Sequence, residues 1–412
     1  MLENTPRRQF FKMLFLRYKS VMAGTTKSNI WKLYGIKISK WFMLYMPYVV
    51  PFYTSNNLDM QQIMTLQAVY SVAIVTLEIP SGYFADVIGR RRTLILGTIL
   101  GTIGFTIYSF SYGFLGFLLA ELVLGFGQSF ISGADSAMLY DSLLDNKKEK
   151  DYMKYEGRMV SIGNIAEACA GIVGGLIALI SLRHNLYGQA VLAFLAIPAA
   201  IMLVEPAQHE RLKTFTFRTI LNVVRDSLFV NKQLRTNIFL SAAIGTATLT
   251  MAWFAQPYFE HVGLPLTLYG LLWTLLNLVV GIAALAAYRV ETRVGPKRTV
   301  LAIAVLIPVG YLLLGMMESM WALSILFFFY IVRGIATPVL KDYIHRLTAS
   351  NVRATVLSVR NFIIRLCFVL VAPAMGYMTD NIGLQTALLF GGTVFLVLGL
   401  LFGLLFWKYS PK

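Results

Sequence analysis

Charge is scarce in this chain. Of its 412 residues only 14% are Asp, Glu, Lys or Arg, whereas 57% are hydrophobic. A soluble domain carries about a quarter charged residues, so a water-soluble globule is excluded and the bilayer becomes the natural solvent. Cysteine is almost absent: Cys169 and Cys367 both fall in apolar runs, which excludes a disulfide framework and leaves no metal-ligand spacing. The four histidines are scattered, and no G-x-x-x-x-G-K-[ST], H-E-x-x-H or G-x-S-x-G occurs. Walker-type ATP binding, zinc hydrolysis and serine hydrolysis therefore have no motif to rest on. We expect no enzyme, no catalytic residue, no metal and no cofactor. A cleavable signal peptide is not expected either, because the apolar stretch near the N-terminus is interrupted by Lys12, Arg17 and Lys19 and lacks a small-residue cleavage site.

What the chain does have is length in its apolar runs. Twelve are marked, at 33–53, 61–82, 93–111, 114–140, 159–181, 186–204, 238–259, 267–288, 299–317, 320–340, 356–378 and 384–407. Each is near the roughly 20 residues that a helix needs to cross the hydrocarbon core. A transmembrane barrel would alternate over about ten residues instead. An all-α integral membrane protein of twelve transmembrane helices follows. Acids are outnumbered, 20 against 36 basic residues, for a net charge of +16. That balance could suit nucleic acid, but its placement argues otherwise. The segments 1–32, 84–92, 145–158, 205–236, 289–298, 341–353 and 408–412 hold nearly all the lysine and arginine outside the spans, and Arg183 alone lies in the opposite set. By the positive-inside tendency both termini are cytoplasmic, and no nucleic-acid partner is expected. Residues 1–28 mix Phe10, Phe11, Leu14 and Phe15 with Arg7, Arg8, Lys12, Arg17 and Lys19, as an amphipathic segment on the membrane surface does.

The halves repeat. Gly89-Arg90-Arg91-Arg92-Thr93-Leu94 returns as Gly295-Pro296-Lys297-Arg298-Thr299-Val300, and Asn29-Ile30 returns as Asn237-Ile238, at offsets of 206 and 208. The expected organisation is a cytoplasmic segment 1–32, a six-helix half 33–204, a basic linker 205–237 and a second half 238–412. Internal repeats in such a chain point to a transporter with its site between the halves.

The run Gly82-Tyr83-Phe84-Ala85-Asp86-Val87-Ile88-Gly89-Arg90-Arg91-Arg92-Thr93-Leu94 resembles the signature loop of the major facilitator superfamily, G-x-L-A-D-x-x-G-R-[RK]-x-x-L. Phe84 replaces Leu, and Val87 stands where a basic residue is common. The copy near Gly295 lies where the family places one, so the resemblance covers nearly the whole chain. It implies two pseudo-symmetric six-helix halves that rock by alternating access. It also implies a gating role for Gly82, Asp86, Gly89, Arg90 and Arg91, with Asp86 paired to Arg90 and facing the start of the eleventh span near Ala354 to Ser358. Ala170-Gly171-Ile172-Val173-Gly174-Gly175 resembles the antiporter motif G-P-x-x-G-G of drug exporters, with Ala170 and Gly171 as departures. Leu77-Glu78-Ile79-Pro80-Ser81-Gly82, Tyr140-Asp141-Ser142-Leu143-Leu144 and Arg353-Ala354-Thr355-Val356-Leu357-Ser358 have the flavour of poorly characterised bacterial members.

Ionisable residues inside a membrane are costly and mark function by default. Span four carries Glu121, Gln128 and Asp135 at intervals of seven, one stripe of a helix. A carboxylate out of water holds a proton more readily, so the deep Glu121 is the first proton-carrier candidate and Glu167 the second. Lys40, Arg333 and Arg365 make the midplane neutral to slightly positive, which suits an anionic or zwitterionic substrate. Lys37 is expected to snorkel, and Arg360 to face away from the Ser358, Asn361 and Arg365 stripe. Trp41, Tyr45 and Trp253 could wall the substrate, and Gln128, Gln256, Asn277 and Asn361 could hydrogen-bond it. The expected function is proton-coupled secondary transport of a small amphipathic compound, with drug or siderophore export first. Uptake of an anionic nutrient or metal chelate, and lipid flipping on the same fold, are the alternatives. A monomer in a bacterial inner membrane, with protons and lipids as its other partners, completes the expectation.

Overall fold

The computed structural model describes residues 26–132, 134–206, 222–348 and 352–409. The expected amphipathic segment therefore lies almost wholly outside the described residues, as does the middle of the basic linker. Fourteen helices carry the fold among the described residues: α1 Asn29–Trp41, α2 Val49–Thr54, α3 Met60–Val87, α4 Arg90–Phe110, α5 Phe114–Ile131, α6 Ala134–Asp145, α7 Tyr152–Ala178, α8 Leu182–Ile201, α9 Lys232–His261, α10 Tyr269–Val294, α11 Pro296–Met316, α12 Leu323–Arg346, α13 Arg353–Asn381 and α14 Leu384–Tyr409. Strands are absent among the described residues. Eleven spans are long and apolar enough to cross a membrane. The first expected span is the exception, because it is broken.

The break has a local cause. Proline cannot donate a backbone hydrogen bond, and its ring clashes with the carbonyl four residues earlier. Pro47 thus disfavours a helix through Met43, and α1 stops at Trp41. The Leu44 N–H freed by the break donates to Gln189 Oε1 at 3.0 Å. Gly174 makes room for it: a Cβ there would strike the Leu44 carbonyl. Span four is also broken, between α5 and α6. Ser132 turns extended, with φ −61° and ψ 126°, after a last N–H bond to Gln128 O at 2.9 Å. The equivalents in the second half, α9 and α12, run unbroken through Pro257 and Pro338.

The same packing plan is used twice. In the first half α1 packs on α7 and α8, α3 on α5, and α4 on α5 and α8; in the second, α9 packs on α13 and α14, α10 on α12, and α11 on α12 and α14. The turn opening α4 recurs too, with Gly89 at φ 99° and Gly295 at φ 87°, a conformation that only glycine adopts without strain. The halves meet along α3 with α13 and α7 with α10.

Burial separates the two ends of the molecule. We call the end that carries Arg90–Arg92 and Lys297–Arg298 the basic face. Towards the opposite face a buried apolar cluster joins residues of both halves, including Tyr48, Val50, Met64, Trp253, Phe254 and Tyr269, and within the second half it runs on to Val300, Tyr343 and Phe406 near the basic face. Towards the basic face the core divides. One cluster belongs to the first half (Leu33, Leu94, Met138, Leu203) and another to the second (Leu234, Ile344, Val356, Ile363).

Candidate translocation pathway

Where the core divides, a cavity of about 230 Å³ lies between the halves. Glu78 on α3, Gln128 on α5, Ser132 at the span-four break, and Asn361 and Arg365 on α13 line it. Gln128, Asn361 and Arg365 are residues that the sequence expects to meet substrate, and the fold brings them together. Arg365 Nη1 donates to Ser71 Oγ on α3 at 3.5 Å. Glu78 lies within electrostatic reach of Arg365, so an acid of one half faces a base of the other. Glu78 is not among the expected site residues. Its signal is nevertheless in the sequence: Gln67, Ser71, Ile74 and Glu78 recur at helical spacing on one face of α3.

A second crossing pair lies on the other contact between the halves. Glu167 on α7 is within electrostatic reach of Arg333 on α12, beside the Trp273 indole on α10. Arg333 also lies over the Tyr330 ring, 5.2 Å from its centroid.

Glu121 sits elsewhere. It is buried at 5% exposure and faces its own half. Its Oε1 accepts from Tyr53 OH and from Gln67 Nε2, both at 2.8 Å. The Tyr108 hydroxyl bonds to that of Tyr53, and Tyr45 packs beside them, its ring 6.0 Å from that of Tyr108. A buried carboxylate needs such donors, because an unmet charge in a dry interior is expensive. Tyr53 and Tyr108 escape the sequence reading because tyrosines in an apolar run look like ordinary filling.

The two helix breaks place another pair of charges. Lys40 ends α1 and Asp135 opens α6, and the two are electrostatically coupled. A cation suits a helix C-terminus and an anion an N-terminus, so each break carries the sign its dipole favours. Asp135 also accepts from the Ser136 N–H at 2.7 Å. Lys37 lies 5.3 Å from the centroid of the Trp41 ring.

Gln256, another expected contact, lies in the closure at the opposite face. Both ends of the Gln256 amide are engaged: its Nε2 donates to Met46 O at 2.8 Å and its Oε1 accepts from Val50 N at 3.0 Å. Asp380 on α13 accepts from the N–H groups of Met60 and Gln61 at 2.9 and 2.7 Å. Gly270 N donates to Tyr48 OH at 2.9 Å, and Thr274 Oγ1 donates to Ala168 O at 3.0 Å. Trp253 is buried in the joint core, and Asn277 donates to Trp273 O on its own helix at 3.1 Å. Arg360 donates to Ser241 Oγ in the second half, and its Nη1 also donates to Oδ1 of the cavity-lining Asn361 at 3.0 Å, so it touches the stripe that the sequence expects it to face away from.

At the basic face, α3 runs through Gly82 and Asp86, whose side chains lie outside the described residues. The expected Asp86–Arg90 pair therefore lies outside them as well. Arg90 Nε donates to Asp141 Oδ2 on α6 at 2.5 Å. Arg91 Nη2 donates to Ile201 O at the end of α8, at 2.7 Å. The backbone N–H groups of Arg90 and Arg91 donate to the two carboxylate oxygens of Glu205 at 2.7 and 2.8 Å. Gly89 is needed for this arrangement, because a Cβ there would lie 3.0 Å from that carboxylate.

The family model described as Major Facilitator Superfamily matches residues 41–246 and 238–412. No curated protein matches the sequence. The fold resembles the crystal structure of nucleoside transporter NupG, with a TM-score of 0.76 at 15% identity over 93% of this chain and 100% of that one. A D-xylose-proton symporter aligns with a TM-score of 0.71 at 15% identity, covering 94% and 98% of the two chains. A POT family transporter in complex with 5-aminolevulinic acid aligns with a TM-score of 0.70 at 13% identity, covering 94% and 96%.

Proposed function

Because the chain belongs to the major facilitator superfamily, and is thereby a multi-pass membrane transporter, we propose that it moves a small polar organic solute with an anionic or zwitterionic group, coupled to protons. The observation that carries this reading is the cavity between the halves, where Gln128, Asn361 and Arg365 converge opposite Glu78. An arginine stays charged and presents a planar fork to an anionic group, and the two amides add hydrogen bonds that a lipophilic cation would not use.

Rocking of the halves exchanges access. The closure at the opposite face rests on several backbone-specific bonds, while the apolar core divides towards the basic face. Glu78 with Arg365, and Glu167 with Arg333, are the pairs that a solute or a proton would compete for. Glu121 and Glu167 are the proton carriers in this reading. Gly82, Asp86, Gly89, Arg90 and Arg91 control closure at the basic face, which faces the cytoplasm of a bacterial inner membrane by its charge. Uptake stands ahead of export. One of the solved structures the fold resembles is a proton symporter for D-xylose, and the glycines that suggest an antiporter motif have a packing role: a Cβ at Gly171 would strike Thr274, and one at Gly174 would strike Leu44.

The test is uptake into proteoliposomes under an imposed pH gradient, with labelled anionic, zwitterionic and cationic solutes and labelled lipids. Proton-driven uptake of an anionic or zwitterionic solute, lost in Arg365→Ala, supports the proposal. Uptake of lipophilic cations that survives Arg365→Ala, or lipid flipping without solute flux, overturns it.

A further inference from the structure

The two halves treat the same corner of the basic face differently. In the first half, Asn29 grips the chain leaving α8. Its Nδ2 donates to Val204 O at 2.8 Å and its Oδ1 accepts from Val204 N at 2.9 Å. The next residue, Glu205, then covers the N-terminus of α4 with its carboxylate. Asn237 is the repeat of Asn29 and Gly295 the repeat of Gly89. Asn237 is 2% exposed, yet neither Oδ1 nor Nδ2 has a partner among the described residues. A Cβ at Gly295 would meet nothing within 4 Å, where one at Gly89 would meet the Glu205 carboxylate. Among the described residues, none takes in the second half the place that Glu205 takes in the first, and a cavity of about 650 Å³ lies there.

The lining states what this cavity would hold. Asn237 and Gln233 line it, with Pro296, Lys297 and Arg298 from the first turn of α11, and Arg346 at the end of α12. Pro296 has no N–H to offer, so the donors of this turn are the N–H groups of Lys297 and Arg298, which have no backbone acceptor among the described residues. Such donors at the positive end of a helix favour an anion. The acids near the cavity belong to Arg346, which reaches Asp342 at 2.6 Å and Glu291 at 3.7 Å; Glu291 also accepts from Tyr343 OH at 2.9 Å. No acid pairs with Lys297 or Arg298 among the described residues. Leu347, Phe406 and Trp407 supply an apolar wall.

We propose that this cavity binds a phosphate group, held by the Lys297 and Arg298 side chains and N–H groups at the start of α11 and by the Nδ2 of Asn237. At the start of α11 the group does what the Glu205 carboxylate does at the start of α4, and it gives the buried Asn237 Nδ2 the acceptor that Val204 O gives Asn29. Its source is the headgroup of an anionic phospholipid or a soluble phosphate. Basic pockets between transmembrane helices bind lipid headgroups in this manner, and the aromatic wall would lie along the attached chains. The site is separate from the cavity between the halves, so the proposal does not rest on the transport reading.

The test uses the full-length protein in detergent, followed by thermal unfolding and native mass spectrometry. It is titrated with short-chain phosphatidylglycerol, short-chain phosphatidylcholine and inorganic phosphate. A ligand that binds the folded state raises its melting temperature. Phosphatidylglycerol should do so and add mass, while phosphatidylcholine should not. The apparent affinity should fall about tenfold on losing each charge-assisted contact in Arg298→Gln and Lys297→Gln. Asn237→Leu should lose the ligand effect while melting at or above the wild type without ligand, because it removes an unpaired buried amide. Arg298 is exposed, so its variant keeps the test readable if Asn237→Leu does not fold. A rise with inorganic phosphate alone, lost in the same variants, assigns the site to soluble phosphate and upholds the proposal. Equal effects of both lipids with none from phosphate, or effects that persist in Arg298→Gln and Lys297→Gln, overturn it.

Discussion

The first half of the molecule is broken and acidic inside, whereas the second is continuous and basic. Two of the first half's spans are interrupted, at 42–48 and at Ser132, and it carries Glu78, Glu121, Asp135 and Glu167 in or beside its interior. The corresponding helices α9 and α12 are unbroken, and the spans of the second half carry Arg333, Arg360 and Arg365 instead. A helix break frees backbone groups that must be met by neighbours. The first half meets them with Gln189 at Leu44 and with matched charges at Lys40 and Asp135. The difference assigns different work to equivalent parts of one fold. The first half supplies groups that can change protonation. The second supplies charges that cannot, and they face the acids across both contacts between the halves.

The largest expected effect breaks that facing arrangement. Glu78→Ala removes the acid that lines the cavity opposite Arg365, and a charge left without a counter-charge in a partly dry site is costly. Glu78 and Arg365 are only partly buried, so a discounted loss is expected: initial transport rates at least about tenfold lower, or about 1.4 kcal/mol. Exchanging the charges, Glu78→Arg with Arg365→Glu, should recover part of the loss, as measured by solute counterflow. An exchange variant no better than either single change would show that the pair does not link the halves.

A smaller effect is expected at the closure of the opposite face. Gly171 lies on α7 against α10, and a Cβ there would crowd the Thr274 hydroxyl and lie 3.1 Å from Gly270 O. Gly171→Leu should therefore prise the halves apart at that end while leaving the two separate clusters at the basic face intact. A Thr54→Cys reporter, in a background with Cys169 and Cys367 replaced by serine, should label faster in Gly171→Leu. Unchanged labelling would mean that α7 and α10 separate by sliding over a fixed contact and not by opening.

Much of this architecture is legible in the sequence, because a bilayer imposes long apolar runs and an internal repeat marks the halves. The family resemblance rests on one loop, and a family model matching residues 41–246 and 238–412 bears it out. The breaks are not legible in the same way. Hydropathy over 33–53 and 114–140 reads as two continuous spans, since the Leu44 carbonyl's approach to Gly174 and the Gln189 bond depend on neighbours far along the chain. Pro47 is the available signal for the first break, and Ser132-Gly133 for the second. The stripe Glu121, Gln128, Asp135 assumes an unbroken helix. With the chain bent at Ser132, its members go to three places: Glu121 into its own half, Gln128 into the cavity and Asp135 to Lys40. Gln256 illustrates the same limit from the other side. Its polarity in an apolar run marks a buried partner, but nothing local says that the partner is the backbone of Met46 and Val50.

The smallest expected effect tests whether Glu121 belongs to the mobile acids or to the scaffold. Tyr53→Phe removes one of its donors and leaves Gln67 in place. Losing one hydrogen bond here should lower stability by about 1 kcal/mol, read as a small fall in melting temperature. If Glu121 carries the proton, its proton affinity is set by these donors, and the variant should slow proton-driven accumulation while leaving solute exchange at equal pH unchanged. Exchange involves no net proton movement, so it isolates the rocking of the halves from the coupling. A parallel fall in both activities would place Glu121 with the static packing of the first half and leave Glu167, across from Arg333, as the coupling acid.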